Sequence, residues 1–157
     1  MACEISFYHL TQGSLDKSVA KLLEKGFEAG HRSILVLDTQ EELDHYNKIL
    51  WTFSSLAFVP HGSDDDGDPA QQPLYLTTSL NTENPRPNQA TILATVNANT
   101  SLDTSGFKRC LDIFNGHDDD AVTKARARWK SFKASGHKLT YWKQDENGRW
   151  FQEASSS

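Results

Sequence analysis

The beginning of the chain alternates between strand and helix patterns, and this order constrains the fold more than any other feature. Residues 4–10 (EISFYHL) are rich in β-formers and precede a turn-prone segment. Apolar side chains then recur with the spacing of one helix face, at Leu15, Val19, Leu22, Leu23 and Phe27. Gly30 is a typical helix stop, and the apolar run SILVL at residues 33–37 predicts a strand buried on both faces. Together these patterns predict a βαβ unit.

Two further helices are predicted. Thr39 and Glu42 have the spacing of a capping box, in which each side chain satisfies a backbone donor at the start of a helix. The apolar stripe of that helix consists of Leu43, Tyr46, Ile49, Leu50 and Phe53. The last helix is predicted from Asp118 to about Ser135, because acidic residues are favoured at a helix N-terminus.

The remaining strand patterns complete the sheet. They lie at residues 74–79, 90–96, 138–143 and 149–152, whereas residues 56–61 form a short apolar segment that Pro60 stops. Asn147-Gly148, between the last two, is typical of a β-hairpin turn. Residues 107–114 fit either a strand or a short helix. We therefore expect one α/β domain, residues 1–157, with a mainly parallel central sheet, helices on both faces and three layers.

Composition limits the compartment and the partners. The 157 residues include 21 acidic and 16 basic side chains, and the formal charge of −5 disfavours a protein that wraps duplex DNA. The first residues lack the basic flank and apolar run of a signal peptide, and no segment approaches the roughly 18 apolar residues that cross a bilayer. Cys3 and Cys110 are too few for a disulfide framework. We expect a cytoplasmic protein with reduced thiols and no membrane partner.

A βαβ beginning is compatible with nucleotide binding, but the turn after the first strand argues against it. Gly13 stands there alone, where the G-x-G-x-x-G turn needs three glycines. Without them, Asp38 is typical of a solvated loop acid rather than a ribose ligand. The chain has no Walker sequence, nucleophile elbow or His/Cys metal spacing, and residues 64–68 (DDDGD) lack the pattern of a calcium loop. We expect no cofactor, no metal ion and no catalytic residue.

The charge pattern between residues 121 and 143 is more informative. Seven of the 16 basic residues fall there, with no Asp or Glu among them: Lys124, Arg126, Arg128, Lys130, Lys133, Lys138 and Lys143. On a helix, Arg126, Lys130 and Lys133 share one stripe, with Trp129 at its flank. The pattern is typical of a solvated helix whose cations complement its C-terminal dipole. It also fits a basic platform for an acidic peptide or a terminal carboxylate.

A second feature is the aromatic-rich segment around the end of the second helix. Trp51 lies outside the apolar stripe of that helix, and Phe58, Val59 and Pro60 follow it closely. These side chains fit either the core or an exposed patch in which Trp and Phe anchor a protein partner.

Four segments of the chain resemble, in the same order, the chi subunit of bacterial DNA polymerase III. They are EISFYHL, LWTFSSLAFVPHG, ARARWKSFKASGHKLTYWKQ and ENGRWFQ. The resemblance covers nearly the whole chain, and the combination of LW…FVPH with the basic helix is specific. It implies a Rossmann-like domain without a nucleotide, acting as a non-catalytic accessory protein of the clamp loader. Such proteins bind the psi subunit through one surface and the C-terminal tail of single-stranded DNA-binding protein through another.

The resemblance also implies roles for individual residues. The psi-facing region corresponds to Leu50, Trp51, Phe58, Val59 and Pro60. The tail-binding region corresponds to Arg126 first, with Trp129 and Lys130 beside it, and to Lys124 and Arg128. Asn115-Gly116 departs from the apolar-proline pair expected before the basic helix, and Val122 stands where some relatives carry lysine.

Three functional classes follow from these patterns. The first is an adaptor that links the clamp loader, through psi, to the tail of single-stranded DNA-binding protein, with DNA contacted only indirectly. A helicase is a further candidate partner for the same surface. The second is a small-molecule or nucleotide-binding α/β enzyme with a pocket near the strand ends, which nucleotide bound to purified protein would favour. The third, direct single-strand DNA binding by the basic helix, is disfavoured by the net charge.

Overall fold

The structure, a computed structural model, describes residues 3–52, 61–62, 73–79, 86–98, 104 and 106–156. The chain divides into a terminal unit, Met1–Leu15 with Thr95–Ser157, and a central unit, Asp16–Ala94. In chain order the elements are β1 (Glu4–Leu10), α1 (Leu15–Glu28), β2 (Ser33–Val36), α2 (Gln40–Thr52), β3 (His61–Gly62), β4 (Leu74–Thr77), β5 (Ile92–Val96), β6 (Arg109–Asn115), α3 (Asp119–Ala134), β7 (Lys138–Gln144) and β8 (Trp150–Ser156). The described strand pairs are parallel apart from β7–β8. The prediction of an α/β fold with a mainly parallel sheet is confirmed.

In the central unit, the short strand β2 follows α1, and the short strands β3 and β4 follow α2. β2 pairs in parallel with β4, and β4 pairs in parallel with β3. All residues of β2 and β4 are buried, as expected for strands covered on both faces. α1 buries Val19 and Leu23 of its predicted stripe and is followed by Gly30, whose φ of 87° favours glycine. The Thr39 hydroxyl accepts the Glu42 amide hydrogen at 3.1 Å, which confirms the Thr39 half of the predicted capping box of α2.

The terminal unit consists of the strands β6, β1, β7 and β8 in that order, with α3 packed on β6 and β7. β1 pairs in parallel with both β6 and β7, and β7 continues through a tight turn into antiparallel β8. The core beneath α3 includes Phe7, which is fully buried and lies edge-on to Phe132 with ring centroids 6.2 Å apart. Because β1 lies between β6 and β7, the side chains on one of its faces, Phe7 among them, lie beneath α3.

Several strand boundaries differ from the predictions. Most of residues 107–114, which fitted two structures, belongs to β6 (Arg109–Asn115), which pairs along the whole length of β1. β8 continues to Ser156, beyond the predicted end at residue 152. Of the short apolar segment 56–61, only His61 lies among the described residues, as the first residue of β3. The single domain of residues 1–157 stays a prediction.

Candidate functional site

A groove of about 470 Å³ opens on the terminal unit between α3 and the β7–β8 hairpin. We call it the cationic groove. It is lined by His9, Arg126, Trp129, Lys130, Tyr141, Lys143, Glu153 and Ala154. Four elements contribute to it: β1, α3, β7 and β8. Three of the side chains at its rim are cationic and one is anionic, so its chemistry suits a small anionic group.

The floor of the cationic groove is aromatic. Trp129, half-buried on α3, lies edge-on to Phe7 with ring centroids 5.3 Å apart and to Tyr141 at 5.8 Å. Phe7 and Tyr141 stack almost in parallel, with an interplanar angle of 10°. Such edge-on and stacked contacts hold aromatic rings in fixed orientations. The ring surface left exposed on Trp129 therefore offers a rigid apolar floor.

Two cations of the rim are available to a ligand. Arg126 and Lys130 are exposed and stand one helical turn apart on α3. Within the described residues, neither has a carboxylate oxygen within 4 Å of its side-chain nitrogens. Lys143 differs, because its Nζ lies 3.4 Å from Glu153 Oε1. The α3 side of the rim can thus accept an anion without breaking an existing ion pair.

His9, near the end of β1, is buried, and its surroundings favour the neutral imidazole. Its Nδ1 lies 2.6 Å from the Tyr141 hydroxyl. Burial lowers the pKa of His9, and the nearby cations Lys143 and Arg126 lower it further, against the opposing effect of Glu153. Burial raises the pKa of Tyr141 to about 12, so its hydroxyl stays protonated at neutral pH and can donate to Nδ1. This hydrogen bond ties β1 to β7 at the back of the groove.

Gly116 sets how closely the chain passes His9 before α3 begins. A Cβ at this position would lie 2.2 Å from His9 Cδ2 and 2.8 Å from the Leu10 carbonyl oxygen, both closer than real contacts allow. The Gly116 amide donates to that carbonyl at 2.7 Å, while Asn115 Oδ1 accepts the His117 amide hydrogen. The Asn115-Gly116 pair therefore serves packing against the end of β1, and neither residue lines the cationic groove.

The structure brings together three of the residues predicted to bind an acidic tail and separates two others. Arg126, Trp129 and Lys130 line the cationic groove. Lys124 does not line it, and its Nζ lies 3.1 Å from Asp120. The assignment of Arg128 to the tail-binding surface is wrong, because its side chain is only 3% exposed.

Arg128 points into the core of the terminal unit. Its Nε and one terminal nitrogen donate to both carboxylate oxygens of Asp112, each at 2.7 Å, and the other terminal nitrogen donates to the Ala98 carbonyl. Complete burial raises the pKa of Asp112, although the guanidinium of Arg128 opposes this rise. The geometry is that of a buried bidentate ion pair, and burial keeps the guanidinium of Arg128 out of reach of a ligand.

Of the residues predicted to face psi, Leu50 is corrected. It is 1% exposed, in the core behind α2, as expected from its position in the apolar stripe. Trp51 lies in α2, but its side chain is outside the described residues. Phe58, Val59 and Pro60 also lie outside them.

Sequence reasoning missed the residues that the strands contribute to the cationic groove. His9, Tyr141 and Lys143 share one face of adjacent parallel strands, since His9 pairs with Lys143 in the register of β1 and β7. Strand alternation in KLTYWKQ places Tyr141 and Lys143 on one face, and this signal was available. The pairing of β7 with β1, more than 130 residues away in sequence, has no local signal.

Metal binding, a membrane-spanning helix and thiol chemistry find no support in the part of the chain that the structure describes. No group of three or more His, Cys, Asp or Glu side chains there could hold a metal ion. No helix there has the length and apolarity needed to cross a membrane. Burial raises the pKa of Cys3 to about 11 and also raises that of Cys110, so both thiols are poor nucleophiles at neutral pH.

Two comparisons with known proteins agree on one family. The family model described as "DNA polymerase III chi subunit, HolC" matches residues 2–140. A protein named "Probable DNA polymerase III subunit chi", from Rickettsia prowazekii (strain Madrid E), is 30% identical to this chain over 111 residues. That similarity spans 71% of this chain and 65% of the relative.

Proposed function

The chain belongs to the family of DNA polymerase III chi subunits, and from this premise we propose that it is a non-catalytic adaptor of DNA replication. It would bind the psi subunit of the clamp loader through one surface and the C-terminal tail of single-stranded DNA-binding protein through another. The observation that carries the proposal is the pair of available cations, Arg126 and Lys130, above the aromatic floor of the cationic groove.

The chemistry of the cationic groove fits an acidic peptide with an apolar C-terminal residue. The guanidinium of Arg126 can hold a carboxylate through two parallel hydrogen bonds, which a lysine cannot do. Lys130, one turn further along α3, can neutralise a second carboxylate. The exposed face of Trp129 and the Ala154 side chain offer apolar contact for the last side chain of the peptide. A volume of about 470 Å³ accommodates a few side chains, not a folded partner.

The psi-binding surface of the proposal rests on family membership and on residue type. Trp51, at the end of α2, and Phe58, Val59 and Pro60 are large apolar side chains of the kind that anchor interfaces. Leu50 is buried in the core and does not belong to this surface. An adaptor of this kind works in the cytoplasm and contacts DNA only through its partners.

The first prediction tests the tail-binding half of the proposal. Arg126→Ala should weaken binding of a synthetic peptide with an acidic run and an apolar C-terminal residue tenfold or more. A charge-assisted hydrogen bond contributes about 1.5–3 kcal/mol, which corresponds to at least a tenfold change in the dissociation constant. Calorimetric titration measures the affinity, and circular dichroism checks that the variant is folded. The loss should shrink at high salt, where screening already weakens wild-type binding.

Lys133→Ala is the matched control. It removes one positive charge from an exposed position of the same helix, but Lys133 does not line the cationic groove. Its affinity for the peptide should stay close to that of the wild type. Equal affinity of folded Arg126→Ala and wild-type protein would contradict the proposal. The second arm titrates a single-stranded oligonucleotide into the same proteins. If Arg126→Ala abolishes binding of the oligonucleotide but leaves binding of the peptide unchanged, direct DNA binding is favoured.

A further inference from the structure

The outer wall of the cationic groove is built by the β7–β8 hairpin, most of which lies beyond the region that the family model matches. The match ends at residue 140, whereas Tyr141, Lys143, Glu153 and Ala154 all line the groove. The family match therefore does not extend over these four lining residues. The hairpin contributes one positive charge, on Lys143, and one negative charge, on Glu153, to the cationic groove.

A β-bulge in β8 places Glu153 beside Lys143. Tyr141 pairs with Ala154 and Trp142 pairs with Gln152, so Glu153 is the extra residue between the two pairs. A bulge of this kind bends its strand and redirects a side chain. Glu153 Oε1 lies 3.4 Å from Lys143 Nζ, and both side chains are partly exposed at the rim.

The ion pair divides the charge of the cationic groove. Arg126 and Lys130 on α3 have no carboxylate partner among the described residues, whereas Lys143 on β7 is neutralised by Glu153. A carboxylate that approaches Lys143 must displace Glu153 or be repelled by it. The carboxylate of Glu153 therefore competes, within the chain itself, with any acidic ligand of the groove.

We propose that Glu153 is a specificity-determining residue of the cationic groove. Its carboxylate pairs with Lys143 and thereby weakens the binding of acidic ligands. The inference rests on the proposed function, because it assumes that the groove takes an acidic peptide. Removing the negative charge frees Lys143 as a third cation. The gain should be largest for ligands with enough carboxylates to reach all three cations.

The experiment compares Glu153→Gln with wild-type protein. The probe is a synthetic peptide with three consecutive aspartates and an apolar C-terminal residue, titrated calorimetrically at low and high salt. We expect Glu153→Gln to bind about two- to fivefold more tightly, the range that one exposed ion pair supports. A peptide with the aspartates replaced by asparagine should gain less. The increase should fade at high salt.

Glu146→Gln is the matched control, because it removes the same charge from the turn of the same hairpin at an exposed position outside the groove. Its affinity should equal that of the wild type. Lys143→Gln completes a double-mutant cycle: it should abolish the gain in the Glu153→Gln background and cost little in the wild-type background.

The experiment distinguishes failure of the inference alone from failure of both the inference and the proposed function. If wild-type protein binds the peptide in an Arg126-dependent way and Glu153→Gln behaves like Glu146→Gln, the inference is overturned and the proposed function stands. If wild-type protein binds no peptide and Arg126→Ala changes nothing, both are overturned. A gain that persists in the double variant with Lys143→Gln also overturns the inference, since the effect then does not pass through Lys143.

Discussion

Arg126 and Arg128 are two positions apart on α3 and have opposite surroundings. Two residues correspond to a rotation of about 200° around a helix, so the side chains face away from each other. Arg126 lies exposed at the cationic groove, whereas Arg128 is 3% exposed and bound to Asp112. The same residue type thus lies exposed at the groove in one position and belongs to the core in the other.

A pattern in the sequence predicts the burial of Arg128. The buried residues of α3 are Ala121, Ala125, Arg128 and Phe132, which follow one face of a helix. Three of them are apolar, and Arg128 occupies the fourth place in their stripe. The charge pattern and the family resemblance grouped Arg128 with the exposed cations instead. What the sequence could not supply was Asp112 as the partner, because β6 meets α3 only in the folded chain.

The second prediction concerns stability at the residue scale. Arg128→Ala should lower the free energy of unfolding by about 3–5 kcal/mol, because it leaves the buried Asp112 carboxylate without its partner. Urea unfolding followed by circular dichroism measures the change. Arg126→Ala is the control, and an exposed substitution of this kind should change stability by only about 0.5 kcal/mol.

A double replacement separates loss of the pair from loss of packing. Arg128→Met with Asp112→Leu should recover much of the lost stability, since apolar side chains of similar volume can replace a buried ion pair. If Arg128→Ala were as stable as Arg126→Ala, the buried pair would contribute nothing to the fold. In that case the structural role assigned to Arg128 would be wrong.

At the scale of elements, local patterns predicted where helices and strands lie. α3 begins after Asp118, as expected, because the Asp118 carboxylate accepts the amide hydrogens of Asp120 and Ala121. The Asn147-Gly148 turn also forms as predicted, with Gly148 at a φ of 79°. These features depend on residues close in sequence, and their physical causes are visible in the sequence itself.

The pairing of elements was harder to predict than their existence. The cationic groove requires β1 to lie beside β7, and no local pattern specifies which strands become neighbours. The predicted site therefore contained the α3 residues and lacked His9 and Tyr141. Leu50 shows the reverse case, since its place in the apolar stripe of α2 predicted burial more reliably than the resemblance predicted an interface. Residues 58–60 lie outside the described part of the chain, so their role stays a prediction.

The third prediction tests the cap of α3. Asp118→Ala should lower the free energy of unfolding by about 1 kcal/mol, because two backbone amides at the helix start lose their acceptor. Asp119→Ala is the control: it removes the same charge near the same helix end without removing the cap, and should cost a few tenths of a kcal/mol by its effect on the helix dipole. Chemical unfolding measures both.

The effect of the Asp118 cap on stability can be separated from ligand binding in the cationic groove. Arg126 lies about two turns inside α3, beyond the region that fraying of the first turn affects. Peptide affinity of folded Asp118→Ala should therefore stay within about twofold of the wild type, the order of an exposed substitution's effect. A large loss of affinity with little loss of stability would show that the first turn of α3 contacts the ligand directly.

At the scale of the whole molecule, the charge distribution favours a short anionic ligand over a long one. The chain carries a formal charge of −5, and yet the cationic groove has two cations without a carboxylate partner among the described residues. A polynucleotide longer than the groove would extend over an acidic protein and gain few phosphate contacts. A peptide terminus that ends within the groove interacts mainly with the charges of the groove itself. The balance of charge thus supports a protein tail as ligand and argues against direct DNA binding as the main activity.

The last prediction tests whether the two proposed surfaces are independent. Trp51→Gln with Phe58→Gln should abolish binding of the psi subunit, since burial of each large apolar side chain at an interface contributes roughly 1.5–3 kcal/mol. Losing both corresponds to about a hundredfold or more in affinity. Pull-down with purified psi and calorimetric titration measure the loss, and thermal unfolding checks that the double variant still unfolds cooperatively.

The same double variant is its own control at the other surface. It should bind the acidic peptide with wild-type affinity, because the cationic groove is built entirely from residues of the terminal unit. Conversely, Arg126→Ala should bind psi normally and lose the peptide. If the double variant unfolds, Trp51 and Phe58 belong to the core, as Leu50 does, and the psi surface must lie elsewhere. If it stays folded and loses both ligands, the two binding events are coupled, and the adaptor carries its partners jointly rather than through independent surfaces.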